Sequence, residues 1–181
     1  MRLVIRLAAA AATAGVLAAP ALAQTTATAL NGQLNWGDVV ADINVVTRDS
    51  ARDTASIATA AGNSVSGSNM SGGLDAESDQ TNSGATFAHA NLQGGDVRNG
   101  VVMATAQSNA GQAQTVGGDL NIRASQNAHG GDVLASARAN IGNGRTLSAV
   151  SSAASNNAAT SAEYGDLNID LTQTASNSAY A

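Results

Sequence analysis

Apolar and polar residues alternate with a period of two in several stretches of this chain. In Gly165-Asp-Leu-Asn-Ile-Asp-Leu, Leu167, Ile169 and Leu171 fall on one side, and Asp166, Asn168 and Asp170 on the other. Leu120, Ile122 and Ala124 keep the same phase, as do Val133, Ala135, Ala137, Ala139 and Ile141, and Val39, Ala41, Ile43 and Val45. A helix would scatter these residues around its axis, whereas a strand places alternate residues on one face, so the pattern predicts half-buried strands. Leu120, Ile122, Val133, Ile141, Leu167 and Ile169 are expected to point into one narrow core. Asn121, Arg123, Asn168 and Asp170 are expected to face out.

One strand-like phrase is written twice. Residues 118–128 (GDLNIRASQNA) and 165–175 (GDLNIDLTQTA) agree at seven of eleven positions, offset by 47 residues. Gly-Asp pairs at 37–38, 95–96, 118–119, 131–132 and 165–166 each precede Val or Leu, and Asn-Gly pairs stand at 31–32, 99–100 and 143–144. Gly permits left-handed turns and Asp caps its own turn, so these pairs read as punctuation between strands. The Asp residues are separated by 58, 23, 13 and 34 positions. Those spacings approximate multiples of about eleven or twelve, a unit of one strand and one turn.

Most of the apolar fraction is Ala, and the aromatics are only Trp36, Phe87, Tyr164 and Tyr180. Small side chains bury little area, so a globular core of large residues is not available. Stacked units that share a thin core answer this shortage. The predicted fold is all-β: a β-solenoid or β-roll-like array of short strands with Gly and Asn turns and about two strands per coil. Amides recur beside the apolar positions, among them Asn109, Gln112, Gln114, Gln126, Asn127, Asn156, Asn157, Gln173 and Asn177. They can form ladders along such an array or serve as solvated turn residues.

The first residues change the picture of where the chain works. Arg2 and Arg6, an Ala- and Leu-rich run, and Ala21-Leu22-Ala23 make the three parts of a secretory signal peptide over 1–23. The expected organisation is then an N-terminal segment at 24–36 and a β-repeat domain at 37–181. An exported chain without Cys must hold together by means other than disulfides. After cleavage six Arg, and no Lys, stand against thirteen acidic residues, a net charge of −7. That balance argues against a basic patch for nucleic acid or anionic lipid.

Candidate chemistry is sparse. His89 and His129 have no ligand-like neighbours at metal spacing, and Asp75, Glu77 and Asp79 read as one solvated strand face. Gly-Gly-Asp at 94–96, 117–119 and 130–132 lacks the nonapeptide pattern of calcium-binding β-rolls, and calcium needs more oxygens than one Asp per turn supplies. No Gly-x-Ser-x-Gly elbow accompanies the many Ser residues. No catalytic, cofactor-binding or metal-binding residue is assigned, and the chain is not expected to be an enzyme.

The Ala-, Asn-, Ser- and Thr-rich phrases ATAQSNAGQAQT and ASARANIGNGRTLSAVSSAASNNAATSA resemble the holdfast anchor proteins, most closely the HfaD type. The resemblance implies a surface protein, peripheral to the outer membrane, that fixes an adhesive polysaccharide to the cell together with other anchor proteins. The segment Asn109-Ala-Gly-Gln-Ala-Gln114 is also similar to curlin repeats, which implies a surface fibre subunit. The physical reading leaves two further roles open: self-association through exposed strand ends, and a monomeric carbohydrate- or ice-binding solenoid.

Overall fold

The structure, a computed structural model, describes residues 26–47 and 50–181. The expected signal peptide at 1–23 lies outside the described residues. Nine strands follow one another: β1 (Ala27–Asn35), β2 (Val39–Thr47), β3 (Ala51–Asn69), β4 (Leu74–Asn82), β5 (Thr86–Val116), β6 (Leu120–Ala128), β7 (Val133–Glu163), β8 (Leu167–Ala175) and β9 (Ala179–Tyr180). One sheet has the order β1-β4-β6-β8 and the other β2-β5-β7-β9, with β3 also beside β5. Every pairing is parallel. The described residues are all-β, in two parallel sheets that do not close on themselves.

The register gives the repeat directly. Leu74 lies over Ala27, Leu120 over Leu74 and Leu167 over Leu120, so the chain returns to the same row every 46 or 47 residues. The expected unit of eleven or twelve is corrected to this longer one. The twice-written phrase is β6 and β8, paired residue on residue from Leu120↔Leu167 to Ala128↔Ala175. Successive passages of the chain form levels. The first holds β1, β2 and β3; in the second and third the counterparts of β2 and β3 run together as β5 and β7.

Two of the strands are therefore 31 residues long rather than short. Gly94-Gly95-Asp96 lies inside β5, because this corner stays paired with β7 through Gly94↔Ile141 and Asp96↔Asn143. Asn31-Gly32, Asn99-Gly100 and Asn143-Gly144 are likewise within strands. Apart from the interval between β2 and β3 in the first level, the chain breaks at two stacked corners. One follows β1, β4, β6 and β8; the other follows β3, β5 and β7.

At these corners the levels touch backbone to backbone. A Cβ on Gly84 would meet the Gly37 carbonyl, one on Gly131 the Ala85 backbone, one on Gly118 the Gly72 and Gly73 backbone, and one on Gly165 the Gly118 carbonyl. The sequence suggests that the Asp of each Gly-Asp pair caps its own turn, but at three of the five pairs its carboxylate accepts a backbone N–H of the next level. Asp38 Oδ1 accepts the Ala85 N–H at 2.8 Å, Asp119 Oδ1 that of Asp166 at 2.9 Å, and Asp132 Oδ1 that of Ser178 at 3.3 Å.

The interior is built mostly from Ala and Val. Val39, Ala58, Ala60, Ala88, Ala90, Leu92, Val97, Val102, Ala104, Ala106, Val133 and Ala135 form the buried cluster, with Ala41, Ile43, Val45, Ala137, Ala139 and Ile141 packed against it. Leu120 is fully buried, as its phase predicts. Leu167 and Ile169 are corrected: they are 46% and 43% exposed, because β8 has β6 on one side and no strand on the other among the described residues. β1 pairs with β4 over its whole length, so residues 27–35 belong to the stack.

Candidate functional site

Amides cross the interior in two rows, buried at Asn63, Gln80, Asn109 and Gln126. In the first, Asn63 Nδ2 donates to Asn109 Oδ1 at 2.9 Å and Asn109 Nδ2 to Asn156 Oδ1 at 2.8 Å. In the second, Gln80 donates to Gln33 at 3.0 Å, Gln126 to Gln80 at 2.8 Å and Gln173 to Gln126 at 2.7 Å. An amide nitrogen carries two hydrogens, and the other one crosses to the facing sheet. Asn63, Asn109 and Asn156 donate to the carbonyls of Thr81, Asn127 and Thr174 at 2.8, 3.0 and 2.8 Å. Gln33, Gln80 and Gln126 donate to the carbonyls of Ser64, Ala110 and Asn157 at 2.9, 3.1 and 3.1 Å.

These rows offset the cost of burying polar groups by pairing them, and they fasten both sheets level by level. Asn109 and Gln80 are fully buried. The Asn and Gln rows separate the Ala–Val cluster from a narrow apolar channel of about 70 Å³, lined by Ala29, Ala76, Ile122, Ile169, Val65 and Gly111 among others. Of the amides singled out from sequence, Asn109, Asn156, Gln126 and Gln173 belong to the rows. Asn127 and Asn157 contribute backbone carbonyls, and Asn177 Nδ2 bonds the Gly131 carbonyl at 2.9 Å. Gln33, Asn63 and Gln80 were not singled out. Aligning the chain on itself at both offsets, 46 and 47 residues, places them in the rows.

The outer faces repeat as well. Val40, Phe87, Leu134 and Tyr180 form one row across four levels, and Ile57, Met103 and Val150 another across three. Most of these side chains are substantially exposed, Tyr180 at 56% and Ile57 at 51%. Exposed acids pair with amides on the next level: Asn99 with Asp53 at 2.6 Å, Asn121 with Asp75 at 2.7 Å and Asn143 with Asp96 at 2.8 Å. Glu77 and Asp79 are exposed on β4, and Arg123 stands 3.9 Å from Asp170, both well exposed.

His89 Nδ1 lies 3.3 Å from Asp42 Oδ1 on the outer face of β5, and His129 sits at a corner with its Nδ1 buried. Among the described residues no group of three or more His, Cys, Asp or Glu converges as a metal site would. No helix among them is long and apolar enough to cross a membrane.

The ends of the stack are its open surfaces. β7 has β5 on one side along nearly its whole length. On its other side only Val133 and Leu134 are paired, with β9. Ala135–Glu163 is thus an uncovered strand edge among the described residues, with Leu147 and Val150 nearly half exposed.

No curated protein and no solved structure matches the chain. The family model for holdfast attachment protein D matches residues 48–181, the greater part of the sequence. That match covers most of the parallel stack, and this chain belongs to the holdfast attachment protein D family.

Proposed function

We propose that this chain is an exported structural protein that anchors an adhesive polysaccharide to the outer membrane at the cell surface, alongside other anchor proteins. The family match over residues 48–181 carries the reading, since that family serves holdfast attachment. The signal-like series at 1–23 supports export. The parallel register at 46 or 47 residues supports a β-solenoid as the working scaffold: rigid, elongated and hydrogen-bonded through its length. Unpaired strand edges support association through the ends of the stack, with a partner anchor or with further copies.

The test is removal of the protein from the cell that makes it. Such cells are expected to keep synthesising the polysaccharide but to shed it, so that lectin label moves from cell poles and surfaces to the medium. Restoring the full chain should return it, while a chain lacking residues 2–23 should not. Polysaccharide that stays attached to cells without the protein would overturn the anchoring role.

A further inference from the structure

The outer faces place charges in rows, as the interior places amides. Along the row of Glu77, Arg123 and Asp170 the sign alternates from level to level. A row near the start of β3 does the opposite. Ala51 pairs with Val97 and Asp53 with Asn99, so Arg52 and Arg98 between them share a row. Val97 pairs with Gly144 and Asn99 with Thr146, which brings Arg145 into the same row. Val97 is fully buried, and the three Arg beside this row of inner residues are exposed. Three of the six Arg that follow residue 23 thus form one column, on a chain with thirteen acidic residues.

Strands of neighbouring levels lie about 4.8 Å apart, and like charges directly opposite one another destabilise a sheet. The protein gives this column little relief. Arg52 Nε stands 3.9 Å from Asp53 Oδ2, while among the described residues no carboxylate comes within 4.0 Å of Arg98 or Arg145. Of the two carboxylates that flank the column, Asp53 accepts from Asn99 at 2.6 Å and Asp96 from Asn143 at 2.8 Å. The repulsion costs the fold stability, and an anion shared between levels would offset it.

We propose that the column of Arg52, Arg98 and Arg145 binds an acidic polysaccharide, a glycan whose sugars carry carboxylates, laid along the axis of the stack. This deepens the anchoring role proposed above and rests on it, naming the class of glycan. A guanidinium fork meets a carboxylate with two parallel N–H donors. Asn99 and Thr146, each one residue beyond an Arg of the column, offer an amide and a hydroxyl to neighbouring sugar hydroxyls. A single exposed charge pair is weak, but a chain that meets three levels at once binds through all of them together. The same geometry disfavours nucleic acid. Duplex DNA carries a charge about every 1.7 Å, a density that an acidic surface with one Arg column repels. A uronic acid glycan carries one carboxylate per sugar at most, and needs only a local match. The overall acidity of the chain excludes a broad basic surface, not a column.

Polygalacturonate, a polymer of one carboxylated sugar, is the probe. Protein purified from the cells that make it is passed over the immobilised polymer and followed by surface plasmon resonance. Binding is expected at low salt and should weaken as salt rises. Arg98→Gln together with Arg145→Gln should weaken it about tenfold, the combined effect of two exposed charge pairs. Arg123→Gln, on the other sheet, should leave it unchanged, and carboxyl-reduced polymer should not bind. In circular dichroism the double variant should melt no lower than the parent, because like charges have been removed from one row. A clearly lower melting temperature overturns the proposal, since the column would then hold the fold together. So does absence of binding at low salt, equal binding by parent and double variant, or equal binding of the carboxyl-reduced polymer. Tighter binding of single-stranded DNA than of polygalacturonate overturns it in favour of nucleic acid. Cells carrying the double variant should shed polysaccharide, as cells without the protein are expected to do. If they retain it while cells without the protein shed it, anchoring stands and the column's part in it falls.

Discussion

Asn109 accepts from Asn63, donates to Asn156 and donates across the interior to the Asn127 carbonyl, all without exposure to water. Replacing it with Ala leaves buried groups on both neighbouring levels unpaired. Asn109→Ala is expected to cost about 3 kcal/mol, since each orphaned buried group costs roughly 1–3 kcal/mol. Urea denaturation checks it, and a loss below about 1 kcal/mol would mean that water replaces the row. Tyr164 poses the opposite case. It stands at φ 60, in the left-handed region, at the corner where the level before has Gly117 at φ 78. Its side chain is 84% exposed, so little packing compensates the strain. Tyr164→Gly should stabilise the protein by up to about 1 kcal/mol, the lower part of the penalty for an L-residue in that conformation. A lower denaturation midpoint in the variant would show that the tyrosine ring supplies more than its backbone costs.

Strands and corners divide the task of stacking. At the second corner a Cβ on Gly118 would lie 2.3 Å from the Gly72 and Gly73 backbone. Gly118→Ala must push two levels apart and should cost about 3 kcal/mol, the upper end for an overpacked site. Gly67→Ala is the control, because its Cβ would meet only Leu74 Cδ2 at an ordinary 3.7 Å. Parallel urea curves should separate the two variants clearly. These glycines also explain how far the sequence could be read. Alternation located the strands around Leu120, Val133 and Val39, because a two-residue period is a local property and one face is buried. The repeat length was hidden because the same Gly-Asp and Asn-Gly pairs mark different things. At Gly118 they mark a true corner, at Gly95 an open position within the unbroken β5, and at Gly144 a tight fit inside β7. Local turn chemistry cannot distinguish a chain that turns from one that is closely approached by its neighbour. The amides were visible too, but their partners lie 46 or 47 residues away, and only the longer period pairs them.

For the molecule as a stack, the repeat length should act as a unit of construction. Removing residues 74–119 deletes one level and joins Gly73 to Leu120, which lies in the same row as Leu74. The shortened chain is expected to fold with its β signal intact and a lower melting temperature, because one interface between levels is lost. Removing residues 74–85, about the shorter spacing first suggested by the Gly-Asp pairs, should abolish folding by bringing unlike rows into contact. Circular dichroism melts of both variants decide between the two periods. The directions of the amide rows bear on how long such a stack can become. In the Asn row every donor points toward the following level, and in the Gln row every donor points toward the preceding one. Aligned peptide groups in a helix add their dipoles into opposite partial charges at its ends. Here two columns of side-chain dipoles run antiparallel through one interior and largely cancel. Copying a level therefore adds cohesion without building up an axial field from these columns, so elongation of the gene by whole repeats meets no growing electrostatic resistance from its own core.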